Sequence, residues 1–387
     1  MESIDSRQDS QDRHICQAFA SVGRHFGCYA SAIAHPITVA VRPFGSLPNG
    51  TPVELCAIRS EQLELDAITL GGIITSLRVP DRDGRLGEVV LGFNSIEPYL
   101  NNRAYLGAVV GRYANRIAKG RFKLDAIRYQ LASNDGANHL HGGIRGFDQR
   151  LWAATPIETQ DAAGIAFSRT SAAGEEHYPG TLQVSFSYLV TAARTVTLQY
   201  EATTDAPTIV NLTQHTYFNL GGETSTSVLD HDLTILADDY TPVDTTLIPT
   251  GEIASVDGTP FDFRTAAHLG TRLKMNHEQL QIAGGFDHNF VLTRSMPEPS
   301  RVASLFDPQS GRTLQIATTE PGLQFYDGHL LDGRTRGAYG RVFSAHAGLC
   351  LETQHFPDSP NHPQFPPVTL RPGEQYHSTT IWRFSLR

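Results

Sequence analysis

The sequence has few cysteines and no long apolar run. Its 387 residues include only four cysteines, and no two of them form a C-x-x-C pair. This scarcity argues against a disulfide framework or a structural zinc site, and it fits a reducing, cytoplasmic location. No apolar run reaches the roughly 20 residues that a membrane-spanning helix needs, so we predict no membrane partner.

Charged residues are also sparse, and the basic ones are not clustered. They make up 18% of the chain, and the formal net charge is -9 at pH 7. An acidic chain without a run of Lys or Arg is a poor match for nucleic acid or an anionic membrane surface. We therefore expect a small-molecule partner, and a monomer is the default expectation.

A sustained helical period of 3.6 is missing from the sequence, whereas a period of two dominates from Ile37 onward. Leu182, Val184, Phe186 and Tyr188, for example, alternate with polar residues, as in a half-buried strand. With 34 Gly and 22 Pro, the chain is typical of many short strands joined by turns. These features predict an all-β sandwich or barrel.

The first 36 residues lack this alternation. Their small, mildly apolar stretch is interrupted by Arg24 and His25, which is not typical of a secretory signal. We expect residues 1–36 to be a poorly ordered N-terminal extension. Residues 37–387 show no repeat and no convincing linker, so we predict a single domain over that range.

Polar and aromatic residues cluster in a few segments that suit a sugar. Asn115 and Arg116 offer an amide and a guanidinium side by side, which match sugar hydroxyls and ring oxygens. The pair Tyr217-Phe218 offers an aromatic surface close to His215. Glu352 stands where a strand runs into a Pro-rich loop, a position at which a rigid scaffold often carries catalytic groups.

Seven blocks of the sequence, in this order, resemble the aldose 1-epimerase (galactose mutarotase) family: GRYANRIAKGRF, HLHGGIRGFD, GEEHYPG, NLTQHTYFNL, GGFDHNF, PGLQFYDG and LETQHFPDSPNHPQFPPVTLRPGE. The resemblance implies a large antiparallel β-sandwich of the galactose mutarotase-like type. It also implies interconversion of the α and β anomers of free aldoses such as glucose and galactose. Neither a cofactor nor a metal is implied.

The resemblance also implies roles for individual residues. It makes His215 the catalytic acid and Glu352 the catalytic base. Mutarotation needs one base for the C1 hydroxyl proton and one acid for the ring oxygen, so we expect an ionised Glu352 and a protonated His215. The implied sugar-binding residues are Asn115, Arg116, His141, Asp287 and Gln324.

Structural roles remain possible for the same residues. His215 could be a core histidine, and Glu352 an exposed strand-end carboxylate. Arg116 could form a surface ion pair and Asp287 could cap a turn. The side chains of Gln324, Tyr217 and Phe218 could serve packing alone.

The histidines outside the predicted acid leave further questions open. His139 and His141 could be metal ligands on one face of a strand, although the sequence suggests no third ligand. His355 and His362 have no predicted role beyond a place in a surface loop.

Three other functions also fit parts of the pattern. A noncatalytic carbohydrate-binding protein would have no need of both His215 and Glu352. A hexose-phosphate epimerase would need extra cations for the phosphate. A glycoside hydrolase or lyase would need a second carboxylate roughly 5–10 Å from the first.

Overall fold

A computed structural model describes residues 37–293 and 298–387. The predicted extension over residues 1–36 lies outside the described residues. The described residues from 37 onward belong to one compact unit. Among the described helices, none has the length and apolar character that crossing a membrane requires.

The described residues form 28 strands, mostly short. In chain order they are β1 (Thr38–Ser46), β2 (Pro52–Arg59), β3 (Glu64–Ile68), β4 (Ile74–Pro80), β5 (Leu86–Glu88), β6 (Val109–Val110), β7 (Arg116–Ile117), β8 (Arg121–Leu124), β9 (Ile127–Gln130), β10 (His139–Leu140), β11 (Ala153–Glu158), β12 (Ala162–Ser171), β13 (Leu182–Thr191), β14 (Thr195–Thr204), β15 (Thr208–Ile209), β16 (Thr213–Gln214), β17 (Tyr217–Phe218), β18 (Asp232–Ile235), β19 (Asp239–Thr241), β20 (Ala254–Ser255), β21 (Ala267–His268), β22 (Asp287–Val291), β23 (Ser300–Phe306), β24 (Arg312–Thr318), β25 (Gly322–Tyr326), β26 (Leu349–Gln354), β27 (Thr369–Leu370) and β28 (Tyr376–Leu386).

Helices are few and short in the described residues. The two α-helices are Leu269–Leu273 and Glu278–Ala283. Single 3₁₀ turns make up the rest: Glu97–Asn101, Ala118–Gly120, Phe147–Gln149, Glu175–His177, Ala338–Gly340 and Ser359–Asn361. The sequence did not predict the two α-helices, because five or six residues are too few to establish a 3.6-residue period.

Three large antiparallel sheets make up the domain. The largest has nine strands in the order β11-β12-β13-β14-β28-β24-β23-β18-β21. A six-stranded sheet follows the order β17-β26-β25-β22-β19-β20, and a five-stranded sheet keeps the sequence order β1 to β5. Four two-stranded ribbons connect the loops around them: β7 with β10, β15 with β27, β6 with β16, and β8 with β9.

The core lies between these sheets. Phe218 of the six-stranded sheet packs edge-on against Trp382 of the nine-stranded sheet, with ring centroids 5.0 Å apart. Phe186, in the nine-stranded sheet, belongs to the same buried cluster as Leu65 of the five-stranded sheet and Phe325 of the six-stranded sheet. The prediction of an all-β sandwich is therefore confirmed, and β13 coincides with the alternating run that begins at Leu182.

The centre of this core generates a prediction about stability. Phe186 is 2% exposed, and its ring contacts those of Trp152 and Phe167 at centroid distances of 4.7 and 4.9 Å. Replacing Phe186 with Ala should lower the free energy of unfolding by about 3–5 kcal/mol, because it removes a large ring and leaves a cavity. Urea denaturation measures this change. Ile127→Ala is the control, since Ile127 is 56% exposed; a loss at Phe186 no larger than the control's would contradict the prediction.

Candidate active site

One cavity collects the predicted residues. It has a volume of about 550 Å³ and opens to solvent, and six of the seven predicted side chains line it: Asn115, Arg116, His141, His215, Asp287 and Glu352. The seventh, Gln324, is buried directly behind Asp287 and donates a hydrogen bond of 2.7 Å to it from Nε2. Residues that are up to 237 positions apart in the sequence therefore meet at one place.

The register of the six-stranded sheet delivers three of these side chains. Gln324 of β25 lies directly opposite Glu352 of β26, so both side chains project from the same face. Asn289 of β22 pairs with Gln324, which makes Asp287, two residues earlier, its diagonal neighbour. The sheet therefore presents a carboxylate, an amide and a second carboxylate side by side.

His215 lies between β16 and β17, beside the end of β26. Its backbone is fixed by two hydrogen bonds: its N–H donates to the carbonyl of Ala108, and its carbonyl accepts from Gly107. The ring Nε2 is 3.8 Å from Oε1 of Glu352. Both side chains are buried, so the alternative of an exposed carboxylate at Glu352 is wrong.

His141 approaches from the opposite side on an irregular loop. Its φ of 51° is in the left-handed region, and Gly142 follows with a φ of 86°. A Cβ at Gly142 would collide with the carbonyl oxygen of Gly111, so only glycine fits this bend. The backbone N–H of Asn115 donates to Nδ1 of His141 at 3.1 Å. The bend brings the His141 ring within 5.2 Å of the His215 ring, centroid to centroid.

Arg116 is fixed by two carboxylates. Its Nε donates to Asp135 at 2.8 Å, and its Nη1 donates to Asp287 at 3.4 Å. Burial acts to lower the pKa of Arg116, but the charges of Asp287 and Asp135 raise it above its ordinary value. Arg116 is thus a buried, permanently charged group, and its reading as a surface ion-pair partner is wrong. Asp287 begins a strand and accepts two side-chain hydrogen bonds, so it does not cap a turn.

Asn115 contributes through its backbone as well as its side chain. It has a φ of 66°, and its Oδ1 accepts the backbone N–H of Arg116 at 2.8 Å. Its own N–H holds His141, as described above. The amide therefore shapes the loop that carries Arg116, in addition to lining the cavity.

Two residues at the site were not predicted from the sequence. The Tyr105 ring lies 4.5 Å from the His141 ring and 5.9 Å from the His215 ring, and it lines the cavity. Cys350 has its Sγ 3.5 Å from Nδ1 of His215. The position of Cys350 two residues before Glu352 on a strand could have indicated a shared face. Nothing in the sequence around Tyr105 indicates its proximity.

Some predicted groups lie elsewhere. Phe218 points into the core against Trp382 and not into the cavity, because neighbouring residues on a strand face opposite ways. Tyr217, its neighbour, does line the cavity. His139 is 0% exposed and faces away, with Nδ1 at 2.8 Å from the carbonyl of Ala132 and Nε2 at 2.6 Å from the Tyr178 hydroxyl.

The two histidines of the loop after Glu352 hold structure together. His355 is 2.7 Å from the buried carboxylate of Glu320, and His362 is 3.3 Å from that of Asp358. Both rings are half-buried. His355 therefore contacts a carboxylate outside the Pro-rich loop, whereas His362 contacts a carboxylate of the loop itself, four residues earlier; the expectation of a simple surface loop included neither contact.

Burial decides the electrostatics of the facing pair. Burial, and then the charge of Asp287, raises the pKa of Glu352 well above its ordinary value, although Arg116 acts against this. Burial lowers the pKa of His215 to about 4, although a backbone hydrogen bond and the charge of Asp287 act against this. Both shifts favour the uncharged form of the group, against the expectation of an ionised Glu352 facing a protonated His215.

Comparison with known proteins decides the family. The model of the aldose 1-epimerase family matches residues 54–383. The chain belongs to this family. Its membership makes the protein an isomerase, and mutarotation of an aldose is the reaction of the family.

Individual relatives agree with this membership. The chain is 49% identical to the galactose mutarotase of Sus scrofa over 351 residues, which are 90% of this chain and 99% of the relative. It is 39% identical to the aldose 1-epimerase of Escherichia coli strain K12 over 341 residues, 87% of this chain and 96% of the relative. The crystal structure of a galactose 1-epimerase from Lactobacillus acidophilus aligns with a TM-score of 0.80 at 29% identity, covering 91% and 99% of the two chains.

The alternative of His139 and His141 as a pair of metal ligands is wrong, because both ring nitrogens of His139 already have partners and its ring faces away from the cavity. A different group of three in the described residues is close enough together to hold an ion. Ligand atoms of His141, His215 and Glu352 all lie within 4.8 Å of one another. The same three groups can also serve acid-base chemistry, for which an aldose 1-epimerase needs no ion.

This cluster generates the second prediction. EDTA is expected to leave the rate of mutarotation unchanged, because an acid and a base suffice for the reaction. Polarimetry before and after dialysis against EDTA measures the effect. A loss of activity that added Zn²⁺ restores would contradict the prediction and identify the three residues as ligands.

Proposed function

We propose that the protein interconverts the α and β anomers of a free aldose, with Glu352 as the base at the C1 hydroxyl and His215 as the acid at the ring oxygen. The observation that carries the proposal is the pairing of a buried carboxylate with a buried imidazole 3.8 Å away, at the wall of the cavity. Family membership supports the reaction, and the geometry supports these two residues as its agents.

The reaction is a proton exchange between the protein and the sugar. Glu352 takes the proton of the C1 hydroxyl while His215 gives one to the ring oxygen, so the bond between C1 and the ring oxygen breaks. The product is the open-chain aldehyde. Rotation about the C1–C2 bond presents the other face of the carbonyl, and the reverse transfers close the ring as the other anomer. No net proton is gained or lost.

The proposed pair has to share one proton. Burial favours a carboxylic acid at Glu352 and a neutral ring at His215, whereas ring opening needs a carboxylate and an imidazolium. The two forms hold the same number of protons and differ only in which residue carries one. Sugar hydroxyls that donate to Glu352 would favour the charged form, because hydrogen bonds to a carboxylate lower its pKa. Binding the substrate is thus expected to prepare the catalytic form.

Unused hydrogen-bonding capacity beside the pair supports a polyhydroxylated substrate. Glu352 lines the cavity, and its Oε2 is buried without a hydrogen-bond partner in the described residues. A buried acceptor without a partner is costly, and sugar hydroxyls are donors that would satisfy it. The fixed charge of Arg116 would stabilise the negative charge that develops on sugar oxygens as the ring opens.

Asp287 is the carboxylate that a hydrolase would need as its second group. Its oxygens accept hydrogen bonds from Gln324 and Arg116 at 2.7 and 3.4 Å. This arrangement suits an acceptor for an outlying hydroxyl better than a nucleophile. We therefore favour the epimerase over a glycoside hydrolase. The predicted monomeric state, the cytoplasmic location, and the absence of membrane and nucleic-acid partners all stay predictions.

The third prediction tests the two proposed catalytic residues. Glu352→Gln removes the base and His215→Asn removes the acid, and each should lower kcat roughly 10²–10⁴-fold, the usual contribution of one positioned proton-transfer group. The double variant should lose much less than the product of the two losses, because both groups serve one exchange. The measurement is polarimetric decay of α-glucose and α-galactose, corrected for the spontaneous reaction, with glucose 6-phosphate for comparison.

A matched control is available in the same domain. Glu320 and His355 form another glutamate–histidine pair at 2.7 Å, outside the cavity. Glu320→Gln and His355→Asn should change stability but leave kcat within about twofold. If either variant of the cavity pair kept the wild-type kcat while folded, that residue would not be the proton-transfer group.

The wild-type enzyme should also show a bell-shaped pH profile of kcat/KM. Activity requires the pair to hold one proton: at low pH both groups carry protons, and at high pH neither does. The two limbs belong to the coupled pair and not to one residue each. Each single variant, Glu352→Gln or His215→Asn, should lose one limb of this profile.

The fourth prediction concerns Arg116. Arg116→Ala should raise KM and also lower kcat. The guanidinium beside the ring oxygen of the sugar would stabilise both the bound sugar and the opening ring. Arg371→Ala is the control, since Arg371 pairs with Asp125 at 2.7 Å on the surface. Steady-state polarimetry over a range of aldose concentrations separates the two constants. Unchanged kinetics for every aldose would mean that Arg116 serves structure alone.

A further inference from the structure

The inference concerns how His215 is held, and it deepens the proposed function, in which His215 is the acid. We propose that Cys350 is the positioning residue of His215: its sulfur accepts the hydrogen of Nδ1 and so keeps Nε2 facing Glu352 and the cavity. The two atoms, Sγ and Nδ1, are 3.5 Å apart. Both residues are buried, with exposures of 0% for Cys350 and 5% for His215.

One strand carries both residues that face the nitrogens of the His215 ring. Cys350 and Glu352 are two residues apart on β26, so their side chains project from the same face, roughly 7 Å apart along the strand. The imidazole spans this interval, with Nδ1 toward the thiol and Nε2 toward the carboxyl group. Tyr217, on the neighbouring strand, pairs directly with Cys350 and fixes the register.

The other groups around the ring do not compete for Nδ1. The centroids of the Tyr105, His141 and Tyr217 rings lie 5.9, 5.2 and 5.1 Å from the centroid of the His215 ring. Asp287 acts on it through its charge and not through a contact. Among the side chains of residues 37–293 and 298–387, Cys350 is the one at hydrogen-bonding distance from Nδ1, and a backbone hydrogen bond of His215 also acts on the ring.

The location of the ring hydrogen follows from the facing carboxyl group. Nε2 of His215 faces Oε1 of Glu352 at 3.8 Å, and burial raises the pKa of Glu352 well above its ordinary value, so a ring nitrogen without a hydrogen suits this neighbour best. Nε2 therefore carries the lone pair, and the neutral ring carries its hydrogen on Nδ1, facing sulfur. Burial raises the pKa of Cys350 well above its ordinary value, so the thiol stays uncharged and accepts this hydrogen.

This arrangement suits an acid that must give up its proton. Throughout the cycle Nδ1 keeps its hydrogen and donates it to the sulfur of Cys350, and only Nε2 gains and loses a proton. Sulfur is a weak acceptor. It stabilises the imidazolium much less than the carboxylate that often faces Nδ1 in catalytic histidines, so His215 remains a stronger acid.

The decisive experiment observes the ring directly. Nitrogen-15 NMR of the histidine-labelled full chain at neutral pH reports which ring nitrogen carries the hydrogen, and the spectrum of His215→Asn assigns the signals. We expect the Nδ1–H form in the wild type and in Cys350→Ser, whose hydroxyl also accepts. Cys350→Ala should shift the equilibrium toward Nε2–H. An Nε2–H form in the wild type would overturn the proposal, whatever the enzyme's activity.

Kinetics supply the functional arm. Cys350→Ala should lower kcat roughly three- to tenfold with KM little changed, the effect of losing one modest hydrogen bond, whereas Cys350→Ser should recover most of kcat. Cys56→Ala is the matched control, since Cys56 is a buried free cysteine of the five-stranded sheet. A wild-type kcat and an unchanged ring signal in folded Cys350→Ala would overturn the proposal. Loss of activity in His215→Asn is a separate result that tests only the acid.

Discussion

The active site depends on one constraint: a carboxyl group and an imidazole are buried together, 3.8 Å apart, where neither can hold its charge easily. In water Glu352 would be ionised at neutral pH and His215 would be close to its midpoint. Burial pushes the two pKa values past each other, so the pair has an uncharged and a charged form that exchange by one proton. Ring opening of a sugar is itself an exchange of one proton between two oxygens, and such a pair can match it.

The sheets make this burial possible. Glu352 is on β26, which pairs with β17 on one side and with β25 on the other, and its side chain is buried at the wall of the cavity. Irregular backbone, by contrast, brings in the partners: His141 and Asn115 both adopt left-handed conformations. A rigid sheet thus positions the base, and strained loops orient the binding groups. This arrangement is expected of sites that need precise geometry.

The fold was predictable because its signal is local. Alternation over a ten-residue strand such as β13 is readable from sequence, and so is the class of fold that many such strands make. The two α-helices were missed because they are too short to show a period. The faces of very short strands were equally hard to assign: Tyr217 and Phe218 form a two-residue strand, and two residues are too few to show which of them faces the core.

Membership of the cavity was predicted by resemblance, whereas the predicted charges, an ionised Glu352 and a protonated His215, run against the directions in which burial shifts the two pKa values. A motif states which residues meet, but the pKa of Glu352 depends on how completely water is removed and on charges such as Asp287 that arrive from other strands. The local sequence pattern shows neither how completely water is removed nor which charges lie nearby. The same reason hid Cys350: a cysteine in a strand is ordinarily a small apolar residue. Only the approach of the His215 ring, from the segment between β16 and β17, gives its sulfur a hydrogen to accept. What a side chain does is thus set by the partner that faces it, and that partner is a property of the register.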